Sequence, residues 1–201
     1  MRLPGFVIAR FVALAMLLPG CIIPFAIPPT RSEIGSSTRI GRASEPGSSS
    51  LHAAVGTHLA SGTQRRDQAF DVGAGWTFEK TTEQTSNGVY LDGAVFIDRT
   101  ARTRTSLGGR GELRSMTDGK AAAAKLRLDT EVYGGGTSKF SSNDRCGTSS
   151  GTYFGTTAVG MFAEAGHVWS TGPEGNAWVA TAGVSMRIPS SVGVWIGIPG
   201  C

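Results

Sequence analysis

Alternation of apolar and polar residues with a period of two is the feature that most limits how this chain folds. Between residues 70 and 78 the even positions are Phe70, Val72, Ala74, Trp76 and Phe78, and the residues between them are small or polar. Successive side chains of a β-strand point to opposite faces, so the pattern predicts a strand with one apolar face. After residue 50 no stretch of comparable length has a helical period.

The same alternation returns in later segments and, less clearly, in one earlier segment. The later segments span residues 89–97, 107–113, 122–132, 153–165, 178–188 and 192–198, and the earlier one spans 51–59. Turn-forming residues separate them, and the 29 glycines of the chain are about twice the usual share of ~7%. We therefore predict an all-β fold, an antiparallel up-and-down β-barrel of about eight strands. A β-sandwich is the alternative architecture.

Acids and bases occupy the polar faces of the predicted strands in nearly equal numbers. If these faces line a narrow lumen, opposite charges can pair across it, which is the arrangement of a transmembrane barrel with its apolar face toward lipid. A soluble barrel has the reverse arrangement, in which Trp76, Leu126 and Val184 face the interior. The candidate lumen network comprises Asp71, Asp92, Asp98, Arg104, Arg110, Glu112, Arg114, Lys125, Arg127, Asp129, Glu131, Glu164 and Arg187.

The first twenty residues have the features of an export signal. MRLPGFVIAR carries two arginines and no acid, and the eight residues that follow are all apolar. The segment ends in Leu18-Pro19-Gly20-Cys21, and its leucine three before and glycine one before the cysteine make it resemble a bacterial lipoprotein signal. The resemblance implies that residues 1–20 are removed and that Cys21 is acylated, which anchors the chain in membrane lipid. An ordinary cleaved signal and a transmembrane anchor are the alternatives.

Residues 21–50 are rich in proline and serine and lack periodic apolar positions. This composition predicts a disordered tether between the lipid anchor and the folded part. The barrel domain is then expected to span residues 51–201.

The last predicted strand carries a second resemblance. Ser191 is followed by Gly193 two residues later and by Ile196 and Ile198 five and seven residues later. This spacing resembles the closing-strand signal of bacterial outer-membrane barrels, which implies that residues 192–198 complete the barrel.

The longest predicted loop, residues 134–151, follows the fifth predicted strand. If the chain enters the barrel from the periplasm, this loop lies outside, where membrane barrels keep their long loops. Cys146 and Cys201 would then lie at opposite ends, about 25–30 Å apart, and would stay unbridged because a disulfide needs Cα atoms within about 7 Å. A soluble barrel allows a Cys146–Cys201 disulfide.

No convincing active site is visible in the sequence. Gly147-Thr148-Ser149-Ser150-Gly151 matches the G-x-S-x-G pattern, but it lies in a polar loop that leads into a strand instead of a strand–turn–helix elbow, which argues against a hydrolase using Ser149. His52 and His58 have no accompanying ligand cluster, and His167 stands alone, so we expect partly exposed histidines and no metal site. The sequence therefore predicts no enzyme and no cofactor.

These features together predict a lipid-anchored protein of the bacterial outer membrane whose β-barrel has a structural or narrow-channel role. Its expected partners are membrane lipid, through acylated Cys21, and the bilayer, through the apolar face of the barrel. Without Arg2 and Arg10 of the leader, 17 basic residues face 15 acidic ones, a balance that argues against nucleic acid as a partner. The alternative function is a soluble, lipid-tethered barrel that binds a small apolar ligand in its interior. Oligomeric state is left open.

Overall fold

The computed structural model describes residues 22–40, 49–62, 69–82, 84–100, 102–135, 138–145, 147–154, 156–173 and 175–197. Nearly all of them lie in strands. The strands are β1 (Ile22–Ile27), β2 (Thr30–Ile40), β3 (Ser49–His58), β4 (Phe70–Lys80), β5 (Thr85–Arg99), β6 (Thr103–Met116), β7 (Gly119–Gly135), β8 (Ser138–Asp144), β9 (Gly147–Phe154), β10 (Thr156–Ser170), β11 (Ala177–Ile188) and β12 (Ser190–Gly197). A helical turn, α1 (Leu59–Gly62), follows β3.

Eight of the strands form a closed antiparallel barrel in the order β10-β11-β2-β3-β4-β5-β6-β7. β10 also pairs with β7, and β2 pairs with β11, with Gly35 opposite Gly183. The prediction of an all-β, up-and-down, eight-stranded barrel is confirmed. We call the end where β2 begins and β11 finishes the entry end, and the opposite end the far end.

A second sheet, the extension sheet, has the strand order β1-β12-β9-β8. Each of its strands continues a strand of the barrel at the entry end: Pro28 and Pro29 separate β1 from β2, and Pro189 separates β11 from β12. One wall of the barrel, made of β7, β10, β11 and β2, is therefore prolonged beyond the rim.

Side-chain burial alternates along every barrel strand, but the buried face is polar and the exposed face is apolar. Among the described residues, the buried apolar side chains larger than alanine are Tyr90, Phe162, Val168 and Val179. The two glycines of the β2–β11 pair, Gly35 and Gly183, lie on the inner face. The core of this barrel is therefore built mainly from charged and hydroxyl side chains.

The expected tether over residues 21–50 is wrong for most of its length, because residues 22–40 form β1 and β2. Arg31 and Glu33 of β2 are buried inside the barrel, and β2 pairs with both β3 and β11. The outward positions Ser32 and Ser36 are not apolar, so this strand lacks the alternation that identifies the others. Residues 1–20 and Cys21 lie outside the described residues.

The expected place of the last strand is also wrong. β12 lies in the extension sheet, between β1 and β9, and the barrel is closed without it by β2 and β11. Because β2 precedes the strands counted from the sequence, residues 122–132 belong to the sixth barrel strand and not the fifth, which reverses the end at which that strand finishes.

The long segment that follows β7 therefore lies at the entry end, where it forms the hairpin β8–β9. Gly147 pairs with Gly197 of β12, so the residues next to Cys146 lie beside the last strand and not at the opposite pole. Cys146 and Cys201 themselves lie outside the described residues, but the argument that distance keeps them apart no longer holds.

Candidate functional site

The interior of the barrel is a network of ion pairs. Of the thirteen residues predicted to share a polar face, the structure buries twelve inside the barrel. Asp98 is the exception: β5 shifts register between Phe96 and Asp98, and beyond this irregularity the Asp98 side chain is exposed. The buried charged side chains among the described residues are Glu33, Asp71, Glu79, Asp92, Glu112, Asp129, Glu131, Glu164, Arg31, Arg104, Arg110, Arg114, Lys125, Arg127 and Arg187.

At the entry end, two arginines share the carboxylate of Glu131. Nε of Arg187 lies 2.7 Å from Glu131 Oε1, and Nε of Arg104 lies 2.7 Å from Glu131 Oε2. Nη1 of Arg187 also lies 2.7 Å from Asp71 Oδ2, and the Nδ1 atom of His58 lies 3.2 Å from the same oxygen. This chain of contacts joins β3, β4, β6, β7 and β11.

The middle of the barrel is organised around Glu33, which accepts hydrogen bonds from Arg110 and Arg127. Arg127 also donates to Glu164 at 2.5 Å and to Asp129 at 2.6 Å. Each of the two guanidinium groups lies 4.3 Å from an aromatic centroid, Arg110 over Tyr90 and Arg127 over Phe162. Stacking on a ring face adds cation–π attraction to the ion pairs.

Toward the far end, Lys125 bridges two carboxylates. Its Nζ lies 3.0 Å from Glu112 Oε1 and 3.3 Å from Glu164 Oε2. Arg114 pairs with Glu112 and with Glu79, and the hydroxyl of Ser50 donates to Glu79 at 2.5 Å. Beyond this layer, small apolar side chains narrow the mouth: Ala121, Ala123, Val168 and Val179, with Met116 packed against them.

The network seals the barrel. The side chains of Arg110, Glu33 and Glu164 are each 0% accessible, although they lie in the middle of the lumen. A channel wide enough for water would leave them accessible. At the far mouth, a depression lined by Glu79, Arg114 and their neighbours has a cavity volume of about 10 Å³, which is room for about one water molecule.

The helical turn α1 covers the entry mouth. It contacts β3 and β4 on one side of the ring and β10 on the other, so it crosses the opening. Ala60 of this turn is buried, and its backbone N–H donates to Asp71 Oδ1 at 2.8 Å. Asp71 thus links the covering turn to His58 and to Arg187 of the lumen network.

The sequence did not identify several members of this site. Arg31 and Glu33 fell in the segment interpreted as a tether. Glu79 and Tyr90 were not singled out, although Glu79 shares a face of β4 with Asp71 and Tyr90 shares a face of β5 with Asp92. The expectation of partly exposed histidines is wrong for His52 and His58, which are buried in the lumen.

The two buried histidines have different surroundings. The Nε2 atom of His58 lies 3.1 Å from the Tyr90 hydroxyl. His52 packs edge-on against Phe162 at 6.2 Å, and neither of its ring nitrogens has a hydrogen-bond partner among the described residues. Gly73 lies beneath the His58 ring, where a Cβ would collide with the imidazole.

The outer surface of the barrel is apolar. Leu126 is 72% exposed, and Trp76 and Val184 are each 51% exposed. The soluble alternative placed these three residues in the interior, and the structure corrects it, because the interior it offers to an apolar ligand is filled with charge. His167 lies on this outer side at the far end, between the rings of Trp169 and Trp178 at 4.7 and 5.2 Å.

Other candidate chemistry finds no support in the geometry. Ser149 lies within β9, paired with Ser142 and Trp195, and not on a strand-to-helix elbow. Within the described ranges, no group of three or more His, Cys, Asp or Glu side chains is arranged to hold a metal ion. In the part of the chain that the structure describes, no helix is both long enough and apolar enough to cross a membrane.

Comparison with known proteins identifies no family. No protein-family model and no curated protein matches the sequence. Among solved structures, three mutants of the porin of Rhodopseudomonas blastica, carrying three or five substitutions, match at 9% identity, over 83% of this chain and 100% of the porin chain. Their TM-score of 0.17 is too low for the match to bear on the fold or the function of this chain.

Proposed function

We propose that this protein is an integral β-barrel of the bacterial outer membrane with a structural role, held additionally by a lipid on Cys21. The barrel itself is a membrane anchor that presents the extension sheet at one surface of the bilayer. The proposal includes no catalytic activity.

One observation supports a membrane barrel: polar side chains line the interior and apolar side chains cover the outside, which is the reverse of a soluble barrel. The exposed face carries large apolar residues such as Leu91, Leu113 and Met161, whereas Arg110 and Glu131 are buried. In water, each large apolar side chain left exposed forgoes about 1.5–3 kcal/mol of burial free energy. In a bilayer the same face is solvated by lipid, and the polar groups pair inside.

A structural role is favoured over a channel because the lumen is filled. The paired carboxylates and guanidinium groups at its centre are so closely packed that at most 2% of each side chain is exposed, and α1 covers the entry mouth. A narrow-channel role would require the ion pairs at the centre to separate first, which exposes buried charges and is costly.

Lipid attachment at Cys21 rests on the resemblance of Leu18-Pro19-Gly20-Cys21 to a lipoprotein signal. The described chain begins at Ile22, directly after this cysteine, and enters the extension sheet at the entry end. A lipid at this position would lie at the end of the extension sheet farthest from the rim, because the six residues of β1 and two prolines separate it from the barrel.

The decisive experiment uses residues 22–201, which lack the anchor. If the barrel is integral, this fragment requires detergent for solubility and inserts into phospholipid vesicles from which alkaline carbonate does not extract it. Full-length protein with Cys21→Ala serves as the matched control and should behave identically. A fragment that stays monomeric and folded in buffer without detergent would rule out the membrane barrel.

A further inference from the structure

The outer face of the extension sheet is divided into two halves of different polarity. On β1 and β12 this face carries Pro24, Ala26, Val192, Val194 and Ile196, all of them exposed. Register pairs Pro24 with Val194 and Ala26 with Val192, so these side chains form one continuous apolar surface.

The other half of the same face is polar. Val194 pairs with Ser150 of β9, and the boundary between the halves therefore runs between β12 and β9. The described side chains on the outer face of β9 and β8 are those of Thr148, Ser150, Thr152, Lys139, Ser141 and Asn143.

The apolar half continues the apolar outer face of the barrel, because β11 and β12 keep the same alternation of inward and outward residues. On β11 the outward residues are Val184, Met186 and Ile188, and across Pro189 the same even numbering leads to Val192 and Val194. β10 and β9 differ from this pair. The outward apolar residue of β10 nearest the entry end is Val159, and the outer face of β9 beyond it is polar.

The apolar row on β11 and β12 is longer than the hydrocarbon layer. Trp178 and Ile196 are 18 residues apart, which corresponds to about 60 Å of strand at ~3.3 Å per residue, or about 45 Å along the membrane normal at a tilt of ~40°. The apolar band of an outer-membrane barrel is about 25 Å tall. The row therefore runs past the hydrocarbon layer and, because a bilayer is about 40–45 Å thick with its headgroup regions included, ends in the headgroup region of the leaflet on the entry side.

The inner face of the extension sheet has its own packing. Phe25 and Phe140, on the two edge strands, fold over Gly193 and Gly151 until their ring centroids are 6.1 Å apart, and Tyr153 lies 4.8 Å from Phe140. This aromatic cluster packs part of the inner face, on which Ile23 and Ile27 of β1 remain 52% and 48% exposed. The apolar outer half has no packing partner among the described residues and is available for another contact.

We propose that the β1–β12 half of the outer face lies against the lipid of the leaflet at the entry end, while the β8–β9 half faces water. The occupant is lipid because the surface is continuous with the lipid-facing band of the barrel. Lys139 and the hydroxyl side chains limit the contact to one half, since a lysine on the lipid face is costly. This inference rests on the proposed membrane barrel.

The test measures lipid contact residue by residue in the full-length protein in phospholipid vesicles. An environment-sensitive fluorescent amino acid replaces Val194, Ser150 or Leu126 in turn, and lipids brominated near the glycerol end or deep in the acyl chain serve as quenchers. We expect at least twofold quenching at Val194 by the shallow bromines, quenching at Leu126, and none at Ser150. Val192 provides a second site on the apolar half in case one label perturbs folding.

The other outcomes distinguish a failure of this inference from a failure of the proposed membrane barrel. Quenching at Leu126 but at neither Val194 nor Val192 would overturn the inference and leave the membrane barrel standing. Equal quenching at Ser150 and Val194 would overturn the division into a lipid-facing and a water-facing half. If Leu126 is not quenched either, the proposed membrane barrel fails together with this inference.

Discussion

Arg110 and Glu33 form a two-point ion pair across the barrel. Nη1 of Arg110 lies 2.8 Å from Glu33 Oε2, and Nη2 lies 3.1 Å from Oε1. Their strands, β6 and β2, lie on opposite sides of the closed ring and are far apart in sequence. Nη2 also donates to Asp92 at 2.9 Å, so the guanidinium fixes three strands from inside.

Replacing this guanidinium should destabilise the barrel strongly. Arg110→Leu leaves the carboxylates of Glu33 and Asp92 without one of their cations in a site that water does not reach. Removing one partner of a buried ion pair typically costs about 3–5 kcal/mol. The free energy of unfolding, measured by urea titration in phospholipid vesicles, should fall by that amount.

The matched control is Lys120→Leu, which removes a cation from an exposed position next to a turn. Its urea midpoint should equal that of the wild type. The double variant Glu33→Leu with Arg110→Leu removes both partners and should be more stable than the sum of the single changes predicts. Equal midpoints for Arg110→Leu and the wild type would contradict the sealed lumen.

The sequence predicts the barrel well where one face of a strand is apolar and the other is charged. β4, β5, β6, β7, β10 and β11 all show this contrast, and twelve of the thirteen residues predicted from it are buried together. The prediction fails where the contrast is absent. In β2 serine and threonine occupy most outward positions, so its inward Arg31 and Glu33 do not stand out.

Alternation also says nothing about which strands close the ring. β12 alternates as clearly as β11, yet it prolongs β11 beyond the rim, because Pro189 is the only residue between them and the pairing continues to β1 and β9. One missed strand at the start and one displaced strand at the end left the predicted count near eight. The missed strand β2 alone reversed the expected position of the β8–β9 hairpin, because it shifts the count of every later barrel strand by one.

The carboxylate of Asp71 should hold α1 in place over the entry mouth, because it accepts a hydrogen bond from the Ala60 N–H. Asp71→Asn keeps the size of the side chain but removes the charge that faces Arg187 and weakens the acceptor of the Ala60 N–H. Loss of a hydrogen bond to a charged group costs about 1.5–3 kcal/mol. Amide exchange at Ala60 should therefore accelerate at least tenfold. Asp98→Asn, at an exposed position on the next strand, should leave this exchange unchanged, and an unchanged rate in Asp71→Asn would show that the carboxylate does not hold the turn.

A charged residue on the outer face should destabilise the barrel where this face is embedded in lipid. Leu126 lies near the middle of β7 and is 72% exposed. Leu126→Arg should reduce the free energy of unfolding in vesicles by about 2–4 kcal/mol, the cost of an arginine at the bilayer midplane. Ser150→Arg, on the polar half of the extension sheet, is the control and should fold normally. Equal folding of both variants would mean that Leu126 does not face lipid.

The filled lumen predicts a barrel that does not conduct. Wild-type protein in a planar bilayer should give no steady conductance above the bare membrane. Arg110→Ala combined with Arg127→Ala removes two guanidinium groups from the centre and should allow discrete conductance steps in molecules that still fold. Lys120→Ala combined with Lys139→Ala removes the same number of charges from exposed positions and should stay silent. Steady conductance of the wild type would overturn the structural role in favour of a channel.

Cys21 is predicted to carry the lipid, and this prediction separates the anchor from the barrel. In cells fed radiolabelled palmitate, the wild-type protein should become labelled and Cys21→Ala should not. Cys146→Ala is the matched control, because it also removes one of the three cysteines but leaves Leu18-Pro19-Gly20-Cys21 intact, and it should be labelled like the wild type. Two acyl chains anchor a protein stably where one does not, yet the barrel should keep even the unlabelled Cys21→Ala protein in the membrane fraction. Equal labelling of Cys21→Ala and the wild type would remove the anchor while leaving the barrel untouched.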